Sequence, residues 1–138
     1  MYGVFITSYD EKMTNINILI KERDMKKIQS TLEQLLDIQF ENRESSYWGE
    51  YCICKKLNTM KSIQIQYNYV DEDWQFEEFK DCPIVVNLND ILEGDDSFRK
   101  ILDNVKSIER VFINEVKYNA YHRKYIYQDG RKELIWEK

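Results

Sequence analysis

The spacing of apolar and polar residues changes period several times along the chain, and each change predicts an element. Residues 2–6 (YGVFI) and 15–20 (NINILI) are short apolar runs that read as strands, with the polar stretch SYDEKMT as the loop between them. Over 22–37 the period lengthens. Met25, Ile28, Leu32, Leu35 and Leu36 recur at spacings of three and four, while Lys26, Lys27, Gln29, Glu33 and Gln34 fill the other positions. That is one apolar stripe on a helix, and Asp24 near its start suits the positive end of the helix dipole.

The period then shortens to two. Ile38 and Phe40 alternate with Gln39 and Glu41, Tyr51 and Ile53 with Cys52 and Cys54, and Ile63, Ile65 and Tyr67 with Gln64, Gln66 and Asn68. Such alternation predicts strands with one wet face. LNTMK between the last two is a hairpin loop. Residues 84–88 (IVVNL) form a further strand, with Pro83 at its start, where a missing donor is tolerated. Asp95, Asp96 and Ser97 offer an N-cap to a second helix reaching about Ser107, with Phe98, Ile101, Leu102 and Val105 on its core side. Val111–Val116 is a strand, and Tyr121–Tyr127 and Lys132–Trp136 flank Asp129-Gly130, the strongest hairpin signal in the chain. Strands interrupted by two helices, without strict βαβ alternation, predict a single α+β domain over 1–138 built on a mostly antiparallel sheet. The segments 1–20 and 108–138 are the least determined by pattern.

Charge adds what pattern does not. Residues 71–96 hold ten acidic side chains against Lys80 alone, whereas 1–70 are balanced and 99–138 carry an excess of bases. The whole chain of 138 residues has a formal net charge of −5. A concentrated negative segment steers a positive partner toward it. Trp74, Phe76 and Phe79 are interleaved with Asp71, Glu72, Asp73, Glu77, Glu78 and Asp81. Aromatic groups framed by charges are what a protein-binding surface needs. The same aromatics would equally serve as pegs that fasten a loop to the core.

Other chemistry is weakly signalled. Cys52 and Cys54 lie on one face of a strand, but only Cys82 and His122 could complete a zinc set, so no metal is expected. An odd count of three cysteines argues against a disulfide framework and for the cytoplasm. No run approaches the length of a membrane span, and the first residues lack the basic start of a secretory signal. Asp71-Glu72-Asp73 lacks the glycine and ligand spacing of a calcium loop. His122, the sole histidine, has no nucleophile motif beside it. No catalytic residue and no cofactor are expected. The competing reading is a small ligand-binding domain or enzyme that assembles clustered carboxylates with His122. A third draws on the tail, where Tyr118, Tyr121, Tyr125 and Tyr127 mix with Arg123, Lys124 and Arg131. Stacking and phosphate contacts could bind nucleic acid there, but the acidic balance of the chain argues against it.

One resemblance goes further. A helix ending in LEQLLDIQF is followed by ENRESSYWGEYCICKK, a strand IQIQYNY, and VDEDWQFEEFKDCPIVVNL. This order, over roughly residues 25–89, resembles small bacterial immunity proteins of contact-dependent growth inhibition and other polymorphic toxin systems. The matching positions are Ser45, Ser46, Tyr47, Gly49, Tyr51, Asn68, Asp73, Trp74, Asp81 and Pro83. The resemblance implies a cytoplasmic protein that is not an enzyme and binds one cognate toxin domain. Such toxins are commonly nucleases with basic clefts, to which an acidic surface is complementary. The expected partner-binding residues are Asp71, Glu72, Asp73, Trp74, Phe76, Glu77, Glu78, Phe79 and Asp81.

Overall fold

The computed structural model describes residues 12–138. Its centre is an eight-stranded sheet in which every pairing is antiparallel. In chain order the strands are β1 (Lys12–Ile20), β2 (Glu41–Ser45), β3 (Gly49–Lys55), β4 (Met60–Tyr67), β7 (Ile84–Ile91), β8 (Ile108–Lys117), β9 (Tyr121–Gln128) and β10 (Arg131–Glu137). Two further strands of two residues each, β5 (Tyr69–Val70) and β6 (Asp73–Trp74), form a separate small hairpin. Helix α1 spans Met25–Leu36 and α2 spans Ser97–Asn104. Across the sheet the order is β10-β9-β8-β1-β7-β4-β3-β2. The α+β class and the mostly antiparallel sheet agree with the sequence reading.

Both helices cover one face. Ile16, Ile18 and Ile20 of β1, Ile63 and Ile65 of β4, Ile84, Val86 and Leu88 of β7, and Val111 and Ile113 of β8 meet Met25, Ile28 and Leu32 of α1 and Ile101 of α2 in one buried cluster. α1 is capped as its sequence allows: the Asp24 side chain accepts from the backbone N–H of Lys26 and Lys27. At the far end Asp37 takes the left-handed conformation that closes the helix.

Several boundaries differ from the pattern reading. β1 begins at Lys12, inside the stretch read as loop, because β8 pairs with it from Lys117 onward. Ile38 and Phe40 belong to no strand; Phe40 instead donates its N–H to Glu33 Oε2 at 2.9 Å. The strand that follows is Glu41–Ser45, whose all-polar sequence gave no signal because it is an edge with no apolar side to show. α2 ends at Asn104, short of Ser107, since Val105 already has extended geometry. The strand expected at 2–6 lies outside the described residues.

The face away from the helices is not wet, contrary to the reading from alternation. Ser62, Gln64 and Gln66 on β4 are buried. Most of their polar groups are answered within the sheet: Gln64 Nε2 donates to Gln66 Oε1 at 2.7 Å, and Asn89 Nδ2 to Ser62 Oγ at 3.0 Å, whereas Gln66 Nε2 is buried without a hydrogen-bond partner among the described residues. Asn17 Nδ2 donates to Asn87 Oδ1 at 2.6 Å, and Asn114 Nδ2 to Asn17 Oδ1 at 3.0 Å. Burial of polar side chains is tolerated when they satisfy one another. On β3 it is Cys52 and Cys54 that join the helix-side core, not Tyr51 and Ile53. Burial pushes the Cys52 thiol up to about 11.

Candidate functional site

The acidic segment is built around one asparagine. Asn68 follows β4 directly and is fully buried. Its Nδ2 donates to the carbonyls of Phe76 (3.2 Å), Phe79 (3.0 Å) and Cys82 (3.0 Å), and its Oδ1 accepts from the Phe76 N–H (2.8 Å). Its own backbone accepts from Gln75 N–H and donates to the Pro83 carbonyl, each at 2.8 Å. A loop with few partners of its own, including the short 3₁₀ turn Glu77–Phe79, is thereby tied at four points to one side chain.

Phe76 and Phe79 complete the attachment. Phe76 stacks on Phe112 of β8 with centroids 5.6 Å apart and planes 9° from parallel, and Phe79 meets the same ring edge-on at 5.9 Å. Both join Leu19, Cys82, Val85 and Ile126 in a second apolar cluster on the helix-free face. Lys124 Nζ sits 4.5 Å from the Phe112 centroid and the Arg110 guanidinium 5.5 Å from that of Phe79, contacts that stabilise through the ring quadrupoles. These two phenylalanines are therefore pegs rather than exposed anchors.

The carboxylates point the other way. Asp71 and Glu72 are the two central residues of the turn joining β5 to β6, both with positive φ (53° and 68°). The pattern reading made this a loop; it is a two-residue hairpin turn of the type in which both central residues are left-handed. Asp71, Glu72, Asp73, Glu77 and Glu78 are exposed. Among the described residues, none of these five has a lysine or arginine within ion-pair distance. Asp81 differs, since it pairs with Lys21 at 3.5 Å. Trp74 is half-buried, its ring 4.7 Å from that of Tyr69 with Lys80 Nζ 5.8 Å from its centroid.

A groove of about 490 Å³ runs beside this hairpin. Its other wall is the turn between β2 and β3. There Ser45 Oγ accepts from the N–H of Tyr47 (3.2 Å) and Trp48 (2.8 Å), which fixes the aromatic pair at the tip. The walls meet at Gly49, whose φ is +64°; a Cβ there would come within 3.4 Å of Val70. It is the left-handed turn that calls for glycine, since a Cβ at that distance would make only ordinary contact with Val70. Asn68 and the Tyr47–Trp48 tip were not among the residues expected to form the site. Tyr47 and Asn68 were signalled only as positions of the resemblance, and Trp48 only as part of an aromatic pair preceding a glycine.

Candidates elsewhere are differently placed. His122 is exposed on β9, edge-on to Trp136 at 4.9 Å, away from the groove. Three basic groups of the tail, Arg123, Lys124 and Lys132, have intramolecular partners. Arg123 lies over Tyr121 and pairs with Glu137, and Lys132 bonds Glu115 at 2.6 Å and lies over Tyr125. Burial pushes the Glu115 carboxyl up, but Lys132 and Lys12 outweigh it and hold it below the usual carboxylate range. Among the described residues no three His, Cys, Asp or Glu side chains gather as a metal ion would require. No described helix is long and apolar enough to cross a membrane. Compared with known proteins, the chain matches no family model, and no curated protein and no solved structure is similar enough to serve as a relative.

Proposed function

We propose that this chain is an immunity protein that binds a cognate toxin domain with a basic, nuclease-type surface and neutralises it by occlusion. The observation that carries the reading is the turn at Asp71-Glu72. Left-handed backbone is unfavourable for residues with a side chain, by about 1 kcal/mol or more, and Asn-Gly is the choice that folding alone favours. The hairpin between β9 and β10 uses Asp129-Gly130 with φ of 55° and 77°, as folding prefers. At 71–72 two carboxylates occupy the same kind of turn, with glutamate where folding favours glycine, exposed and without a cationic partner among the described residues. Strain retained where no internal contact rewards it points to an external one. The pinned loop presents these charges in a fixed geometry, which lowers the ordering cost of association. In this role the protein needs no catalytic group or cofactor, and it acts in the cytoplasm, where it meets the toxin.

The test exchanges the turn. The double variant Asp71→Asn, Glu72→Gly is expected to raise stability by about 1 kcal/mol, a few degrees in Tm, while weakening capture of the basic partner. A gain in Tm with undiminished partner binding would remove this turn from the interface. No gain at all would remove the strain argument.

A further inference from the structure

The groove beside the hairpin has a composition the docking of general charge does not explain. Five aromatic residues line it: Tyr47 and Trp48 from one wall, Tyr67 from β4, and Trp74 and Phe76 from the other wall. Asp71 and Asp73 also line it, and no lysine or arginine does. The neighbouring cavities differ. The one beside the start of α1 carries Arg23, Lys26 and Arg43, and the small one on the Trp74–Tyr69 pair carries Arg23 and Lys80. Tyr47 is 77% exposed: the Ser45 hydroxyl holds its backbone N–H, and among the rings of the described residues its own meets only that of Trp48, edge-on at 5.7 Å. At about 490 Å³ the space lies within the range of clefts that take a small ligand, roughly 300–1,000 Å³.

We infer that this groove captures a single arginine side chain projecting from the protein partner; the inference rests on the proposed function and names what the partner supplies. A guanidinium is planar, so it stacks on Trp and Tyr faces, and it is always charged. Its rigid fork of donors suits a carboxylate at the rim bidentately. An ammonium satisfies the charge but not the stacking, so lysine is the poorer occupant. The surface carboxylates at Glu72, Glu77 and Glu78 steer the partner in, and the groove fixes its register.

The probe is the capped peptide acetyl-Gly-Arg-Gly-amide, titrated into the full chain carrying Trp136→Phe, so that fluorescence reports Trp48 and Trp74 alone. A saturable change is expected, with the citrulline peptide, a neutral isostere, at least about tenfold weaker. Tyr47→Ala and Asp73→Asn, both exposed positions that leave the fold intact, should each weaken the arginine peptide several-fold. Arginine and citrulline peptides that behave alike, or the absence of saturation, would overturn the inference. Toxin-domain association then separates the two readings. A partner that binds Tyr47→Ala as well as the parent chain overturns the groove while the immunity function stands. Peptide capture that is saturable and arginine-selective supports the groove even where no toxin partner binds, and in that case it is the immunity function that falls.

Discussion

Replacing Asn68 by leucine is expected to destabilise the protein by about 3–4 kcal/mol, on the order of 10 °C in Tm. Leucine has the same branching and the same number of side-chain heavy atoms and is somewhat bulkier, so the loss is not a cavity. It strands the carbonyls of Phe76, Phe79 and Cys82 and the N–H of Phe76. Each orphaned buried group costs roughly 1–3 kcal/mol unless water reaches it. Relaxation of the loop recovers part of that, which is why the total falls below the sum. The loop cannot relax without moving Phe76 and Phe79 off Phe112, so the acidic face should loosen with the core beneath it. Thermal denaturation gives the magnitude, and amide exchange should show protection lost over residues 75–82 while β1 and β7 keep theirs. A Tm within a degree or two of the parent would mean that the asparagine is not what holds this loop.

Reversing the charge at Asp71, Glu72 and Asp73 together, each to lysine, is expected to slow association with the basic partner by a factor of about 10–100. Steering acts on encounter, so the change should appear chiefly in the on-rate and should shrink as salt is added. The parent on-rate should fall as ionic strength rises through the range where the screening length drops below about 10 Å, and the variant on-rate should not. The three side chains are exposed and, among the described residues, free of ion pairs, so the fold should survive the exchange. Glu77 and Glu78 remain in the variant, which keeps the expected effect finite. Stopped-flow mixing at two salt concentrations decides the matter, and an unchanged on-rate would remove this hairpin from the encounter surface.

How far the sequence foretold this molecule depends on what kind of force sets each feature. The stripe Met25, Ile28, Leu32 was legible because a helix on a sheet has one apolar side, and the structure buries those three residues. Asp129-Gly130 was legible because few residue pairs accept two left-handed positions. β2 was not, because an edge strand packed on neither side shows no hydrophobic period. Gln64 and Gln66 were misread as solvent-facing, since a period of two says only that two faces differ. It does not say that the polar one is wet when amides can bond one another along a strand, as Gln64 and Gln66 do, and between strands, as Asn17 does with Asn87 and Asn114.

At the candidate site the acids were visible as composition, but their arrangement was not. Asp71-Glu72 gave no turn signal, because the second left-handed position, which favours glycine, holds a glutamate, although aspartate is accepted at the first. Asn68 looked like one more polar residue at a strand end; its role depends on carbonyls eight to fourteen residues away converging on it. Phe76 and Phe79 were balanced between anchor and peg until Phe112 of β8, 36 and 33 residues further along the chain, was placed beneath them. The groove is likewise formed by two turns that meet only through the pairing of β3 with β4.

The most direct measurement is made in cells. This chain is co-expressed with the product of the adjacent gene, one of the two tagged, and growth and co-purification are followed together. The account predicts a toxic neighbour, a stable complex and restored growth, with rescue lost or much reduced for the Asp71→Lys, Glu72→Lys, Asp73→Lys chain. A harmless neighbour that forms no complex, or full rescue by the charge-reversed chain, would contradict it.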